Sequence, residues 1–576
     1  MKSVNLSLIA ATDRLGRSLP RAEDAPARRA NRYVGMFYFV CNAQEGTDGP
    51  YDVEKIIAQD PTAAMDEKHP LWGPIDGAAH FWGEPLFGYY FSRDEWVIRK
   101  HIEMLAYADI DFIVFDTTNR VIFFDTVTRI MRLLDEYVQA GYRVPQVAFM
   151  TNTKSGETVN EIYERIYAAN LYPATWFCWD GKPLIIGDYS ESCPAAQEFF
   201  TFRANQWPFD EQHPGGFPWM EFIRPQRVYR REDGTAEVIN VSVAQHPNCA
   251  HSDAAFFGAR DAWGRSWHDG APDTRLGAVN WGFNVQEQWD YALKKDPEIV
   301  FVTGWNEWTA GRWSWDRTQP FGYEVTNAEE GITVRYDRPS RPQIRHTFCD
   351  CATEEYSRDI EPMKGGYFDN YYIQLIDNVR RFKGMDPAPT DTGSGIEYPE
   401  YPFGDAHRAC RGFGKYIYKE ESGLNEIRSL KVRSDGDLLL GNWERQRVKD
   451  ALVFEASCAA PIVRRGNWMR LFIADGKPGY LGYHWMVTGG EDADGFAALW
   501  EYKNGAFERV KTVGMELCGN TVRYSIPRAF LGLAAGAVEL RFQWADGIAM
   551  DGTVEDLYLH GDTAPYGRLS YIYRSE

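Results

Sequence analysis

The chain predicts an α/β protein, a (β/α)8 barrel followed by an antiparallel β-sandwich. Three observations carry that reading. From about residue 32 to residue 385, β-branched and aromatic runs alternate with stretches of helical periodicity, the pattern of a parallel sheet covered on both faces. Residues 386–402, which open on Pro387-Ala388-Pro389-Thr390-Asp391-Thr392-Gly393, then read as a linker. Over 403–576 the pattern changes to short runs, Leu438–Gly441, Trp468–Phe472, Ala497–Tyr502, Thr521–Ile526 and Val538–Phe542, spaced by turns of Gly, Asp and Asn, as in a sandwich of antiparallel sheets.

Residues 1–31, with five arginines from Arg14 to Arg29 among Pro and Ala, form an irregular extension that wraps the barrel domain. Val34–Val40 is the first strand. The Pro- and Gly-rich insert Gly46–Tyr90 follows it and belongs over the rim of the barrel. Ser92-Arg93-Asp94-Glu95 has the form of a capping box for a helix carrying Val97, Ile98, His101, Ile102 and Leu105. The strand Phe112–Phe115 ends in Asp116-Thr117-Thr118-Asn119, and a helix through Val127–Val138 leads to the strand Gln146–Met150. A helix near Glu157–Ala169 precedes Trp176–Asp188, a strand pair about the Asp180-Gly181 turn. Strands at Phe199–Arg203 and Val241–Gln245, a helix at Gln286–Lys295, a seventh strand at Ile299–Thr303, an eighth at Ile344–Asp350 and a closing helix at 370–384 complete the barrel.

Composition narrows the partners. With 576 residues, 44% of them hydrophobic, two or three domains with large cores are expected. The balance of 82 acidic against 62 basic side chains, net −20, argues against nucleic acid or an anionic membrane as partner. Nine scattered cysteines without a C-x-x-C pair read as a reduced, cytoplasmic set. The Val4–Ala11 run is broken by Asn5 and Ser7, a poor signal-peptide core, and no stretch reaches membrane-spanning length. Oligomeric state leaves no mark in the sequence.

The chemistry centres on Ile299–Trp308, a strand that turns at Gly304 into Asn306-Glu307 between Trp305 and Trp308. That position is the carboxyl rim of a barrel, where active sites gather, and apolar rings beside a carboxyl favour its protonated form. The competing reading is a glutamate capping the next turn between core tryptophans. Glycosidic cleavage needs two carboxyl groups across the scissile bond. The candidates are Glu307, Asp116, Asp188, Asp350 and Glu361, with Glu307 as acid and Asp116 or Glu361 as its partner. Trp72, Trp82, Trp305, Trp308 and Trp313 are candidates to stack on sugar faces. Asn119, Asp188, Gln245, Arg265, Asn306 and Arg312 are candidates to bind hydroxyls. His246, His251, Asp253, His268 and Asp269 match no compact metal-ligand spacing, so His251 and His268 are read as sugar contacts, with no metal and no cofactor expected.

Gly88-Tyr89-Tyr90, Ser92–Arg99, the strand Ile110–Val114 and Trp305-Asn306-Glu307-Trp308 together resemble glycosidases of the endo-α-mannosidase family over about 32–385. The resemblance implies a (β/α)8 barrel and a catalytic role for Glu307. In that family a second catalytic glutamate follows three residues later, a position held here by Ala310, so the partner acid must come from another loop. Residues 403–576 resemble carbohydrate-binding β-sandwiches. The expected function is a glycoside hydrolase acting on an oligosaccharide or glycoconjugate. The alternatives are a non-catalytic carbohydrate-binding protein and a metal-dependent hydrolase or lyase.

Overall fold

The computed structural model describes residues 4–42, 48–74, 78–259, 261–313, 320–342, 346–402, 424–434, 438–440, 444–446, 450–490, 495–549 and 552–576. Eight parallel strands build its first sheet: β1 (Tyr33–Tyr38), β2 (Phe112–Thr117), β3 (Gln146–Thr151), β4 (Lys182–Ile186), β5 (Thr201–Gln206), β6 (Gly216–Pro218), β7 (Ala236–Ser242) and β8 (Ile299–Thr303). Strands β1 to β6 pair in chain order, while β8 lies between β1 and β7. The result is a nearly closed barrel sheet. Among the described residues no ladder joins β6 to β7. Val228–Arg230 pairs antiparallel along β7, and the Asn240 side-chain amide donates to the Trp219 carbonyl across the seam at 3.0 Å.

The local sequence explains the strands. Phe-Ile-Val-Phe-Asp-Thr in β2 and Ile-Val-Phe-Val-Thr in β8 are buried at every position, as strands covered on both faces must be. Helices Glu95–Tyr107, Phe124–Gln139, Ser155–Ile162, Phe283–Lys295 and Asn370–Lys383 pack around them. The first of these is capped by Asp94, whose carboxylate accepts from Trp96 N at 3.0 Å and Val97 N at 3.3 Å. The expected capping box places that role on Ser92, whose hydroxyl instead accepts from Asn42 N at 2.7 Å.

Three expectations about the barrel need correction. Ile299–Thr303 is the eighth strand, not the seventh, because the three-residue β6 precedes it; two of its three residues, Gly216 and Pro218, are types that strands avoid. The eighth strand expected at Ile344–Asp350 lies outside the barrel. Thr347–Phe348 pairs antiparallel with Arg312–Trp313, and residues 343–345 lie outside the described residues. Among the described residues no helix separates β5 from β6 or β6 from β7, so the regular (β/α)8 alternation lapses there.

A twelve-stranded antiparallel sheet occupies the C-terminal part. The runs at Trp468–Phe472, Ala497–Tyr502, Thr521–Ile526 and Val538–Phe542 fall within its strands Arg470–Ala474, Phe496–Lys503, Thr521–Pro527 and Val538–Asp546. Residues 403–423 and Gly441 lie outside the described residues. The sheet bends back on itself. Phe454 meets Phe542 at 5.5 Å and Tyr524 stacks on Trp544 at 5.1 Å, although their strands are far apart along the ladder. Ile396–Pro399, from the stretch read as a linker, forms one edge, and Ile9–Ala10 forms the other by pairing with Ser570–Ser575.

Side chains from the helices around the barrel meet loop residues of the C-terminal part in buried polar joints. Arg568 holds Asp369 through two bonds, at 2.6 and 3.0 Å. Lys100 lies 3.9 Å from Glu103 and 4.2 Å from the centre of the Tyr566 ring. No disulfide joins the described cysteines, and no described helix is long and apolar enough to cross a membrane.

Candidate active site

The end of β8 is pinned to the end of β1 before any reactive group is reached. Asn306 accepts from Phe39 N at 2.9 Å and donates to Phe39 O at 3.1 Å, while Asn42 donates to Asn306 O at 2.8 Å. Trp308 is wholly buried, stacked on Trp82 at 4.5 Å. Glu307 sits between these anchors, with 13% of its side chain exposed.

Its carboxylate lies 2.7 Å from Nη2 of Arg358, and the same nitrogen lies 3.2 Å from Oδ1 of Asp350. Arg358 is buried, donates to Asp350 O at 3.0 Å and lies 4.9 Å from the centre of the Trp219 ring. The loop that carries it is fixed from behind by Arg265, which donates to Glu354 O at 2.7 Å, Ser357 Oγ at 3.0 Å and Asp359 O at 2.8 Å. Asp359 accepts from Glu307 N at 2.5 Å and from Trp82 Nε1 at 3.0 Å. Asp116, at the end of β2, is buried and accepts from Thr118 N at 3.1 Å and Thr118 Oγ1 at 2.7 Å.

Two carboxyl groups, Glu307 and Asp350, therefore touch one guanidinium, and Asp359 and Asp116 lie within its field. Burial pushes the Glu307 carboxyl well above its ordinary value; Arg358 opposes the shift, while Asp350, Asp359 and Asp116 add to it. Asp359 is raised to about 6 by burial, against Arg265 and its hydrogen bonds. Burial also raises Asp116, against its bonds from Thr118 and the field of Arg358. Burial outweighs the attraction of Arg358 and Arg265, so Glu307, Asp359 and Asp116 all favour their protonated forms more than exposed acids do. Glu307 thus holds its proton to higher pH than an exposed glutamate does, and Asp350, 38% exposed beside the same cation, is the more open of the two acids that touch Arg358.

The structure separates the other expected residues. Glu361 is fully buried and accepts from Tyr90 OH and Trp308 Nε1, both at 2.6 Å, with His101 Nε2 at 3.0 Å. That makes it an interior support and not a second acid facing substrate. Trp72, Trp82, Trp305 and Trp308 have no exposed surface and so offer no face to a sugar. Trp313 is 50% exposed. Asn119 is exposed, while Asp188 caps a turn by accepting from Ser190 N at 2.8 Å and Glu191 N at 3.2 Å. Gln245 is buried among Arg224, Asn284 and Gln288. Arg265 is buried and Arg312 donates to His346 Nδ1 at 3.3 Å, so both are framework. His268 pairs with Asp269 at 2.9 Å and Asp273 at 3.4 Å. His251 lies buried with its ring 5.2 Å from that of His246.

Arg358 and Asp359 are the site residues that sequence reasoning missed. The run Glu354–Glu361 carries four acids and one arginine, which reads as a solvated charged loop. Its one signal is a lone cation among acids after a strand end.

Comparison with known proteins adds little. No family model and no curated protein matches the chain. Among solved structures it is similar to an endo-α-mannosidase of the GH99 family from Bacteroides thetaiotaomicron, at 15% identity and TM-score 0.34, across 62% of this chain and 99% of that one. The same enzyme in complex with bis-tris-propane matches at 14% and 0.33, across 61% and 97%. An endo-β-1,4-mannanase from Thermotoga petrophila matches at 9% and 0.18, across 95% and 98%. Scores this low do not place the chain in either family.

Proposed function

We propose that this chain is a glycoside hydrolase in which Glu307 is the general acid and Asp350 the charged partner, with Asp116 behind them setting the local field. The observation that carries the proposal is the shared contact of Glu307 and Asp350 with one nitrogen of Arg358. Oxygens 2.7 and 3.2 Å from the same atom can be at most about 6 Å apart. That suits a retaining pair, at about 5–5.5 Å, better than an inverting pair, at about 6.5–9.5 Å.

In this reading the protonated Glu307 delivers its proton to the departing glycosidic oxygen as the Asp350 carboxylate closes on the anomeric carbon. Water then breaks the glycosyl ester, losing its proton to Glu307. The ends of β8 and β1 hold the acid in place, and Arg358 limits how far each acid can turn. Asp350 takes the partner's role expected of Asp116 or Glu361, because Glu361 is consumed by interior hydrogen bonds and Asp116 accepts from Thr118.

The test is hydrolysis of a panel of aryl glycosides by the wild type, Glu307→Gln and Asp350→Asn. Loss of a positioned acid lowers the rate by about 10²–10⁴-fold, and less for a nitrophenolate that leaves without a proton. Glu307→Gln with undiminished rates across a panel the wild type cleaves would remove Glu307 from the chemistry.

A further inference from the structure

The rim holds a second constellation that the hydrolase reading does not use as such. His246, just beyond β7, meets Cys349 and Asp350 from the loop that follows the Thr347–Phe348 strand. A ring nitrogen, the thiol sulfur and a carboxylate oxygen of these three residues all lie within 4.8 Å of one another. Nitrogen, sulfur and oxygen donors together suit a borderline cation, whose bonds of about 2.0–2.3 Å need the three atoms to close by about 1 Å around it.

A second observation points the same way. The His246 side chain is 8% exposed, yet its imidazole is not hydrogen-bonded: Nδ1 has no partner among the described residues, and Nε2 faces Asp350 Oδ1 at 3.9 Å, beyond hydrogen-bond reach. Buried polar nitrogens are rarely left so. The ring is held in this pose by packing alone, against Phe222 at 5.1 Å, His251 at 5.2 Å and Trp219 at 6.5 Å. Cys349 is buried beside it, and the partly exposed Asp350 supplies the way in from solvent.

We propose that His246, Cys349 and Asp350 bind one divalent cation of the Zn²⁺ class, with solvent completing its coordination. The cation competes with Arg358 for Asp350, since the guanidinium already lies 3.2 Å from that carboxylate. Occupation therefore draws Asp350 toward His246 and leaves Arg358 to Glu307. The site stands whether or not the cleft cuts glycosides; where it does, the ion takes the charged partner out of the reaction and inhibits it.

The experiment uses the full chain with the exposed thiols Cys178 and Cys518 replaced by serine, titrated calorimetrically with Zn²⁺ and by absorption with Co²⁺. The expected result is one equivalent bound, a thiolate-to-cobalt charge-transfer band that Cys349→Ser abolishes, and Zn²⁺ affinity at least tenfold weaker in Cys349→Ser and in His246→Gln. Melting temperature without metal identifies a variant that fails to fold, in which case the other carries the test with the same readouts. No binding, or a charge-transfer band and affinity that survive both substitutions, overturns the assignment.

Discussion

Replacing Arg358 with methionine removes the cation that touches both Glu307 and Asp350 while keeping much of the side chain's apolar volume. Unit charges about 4 Å apart attract by about 4 kcal/mol at an effective permittivity near 20, and deleting one partner of a buried pair typically costs about 3–5 kcal/mol. Glu307, 13% exposed, accounts for most of that cost; Asp350, at 38%, is partly screened by water. The penalty must depend on pH. Glu307 is already raised above its value of 4.5 in the unfolded chain, and loss of Arg358 raises it further. Its native form holds a proton to higher pH than the unfolded form, so stability is full below the unfolded value and is lost as pH rises toward the folded one. Calorimetric melts of wild type and Arg358→Met should differ by several degrees at about pH 8 and by much less at about pH 4.5. An equal difference at both values, or a more stable variant at the higher one, would show that the guanidinium does not offset these acids.

Glu361→Ala leaves the Tyr90 hydroxyl and the Trp308 indole N–H without their buried acceptor and should destabilise by about 3–5 kcal/mol, read as a lowered melting temperature; a variant that melts like the wild type but is inactive would return Glu361 to the chemistry. Glu54, Glu103 and Asp562 are each raised by burial to about 7, so each stabilises below its unfolded value and loses that contribution as pH rises to about 7. His251 is lowered to about 4 and works in the opposite direction, but only below its unfolded value of 6.5. With three such acids against one histidine, melting temperature should therefore fall between about pH 5 and 7 and level off above it, and Glu103→Gln should flatten the fall; an unchanged slope speaks against the Glu103 assignment. Asn240→Leu removes the amide that crosses the β6–β7 seam and should speed hydrogen exchange at the Val228–Arg230 strand while β2 and β3 stay protected, a contrast that uniform exchange would deny.

How far these features could be read in advance depended on whether they were local. β1, β2, β3 and β8 were legible because an Ile-Val-Phe-Val-Thr run buried on both faces has few other conformations open to it. β6 was not, since its three residues include both Gly and Pro and rely on β5 for their pairing. Glu307 was legible as a carboxyl group at a strand end beside indole rings. The tryptophans were misjudged for a physical reason: an indole N–H can be satisfied inside, as Trp82 is by Asp359 and Trp308 by Glu361, so aromatic abundance near a rim does not mean exposed rings. Asp350 was one candidate acid among five, and only Arg358, brought in from a later loop, distinguishes it from Asp188. That contact is made by folding and leaves no periodicity or spacing behind.

The pairing of Ile9 with Tyr571 and of Ala10 with Ser570 has a consequence for synthesis. These partners are more than 550 residues apart along the chain, so the earlier segment must wait, its ladder groups bonded to water, while every barrel strand is made. The register that finishes the large sheet is therefore among the last to set, and a nascent chain halted before residue 570 should hold a formed barrel with its leading segment still accessible to protease.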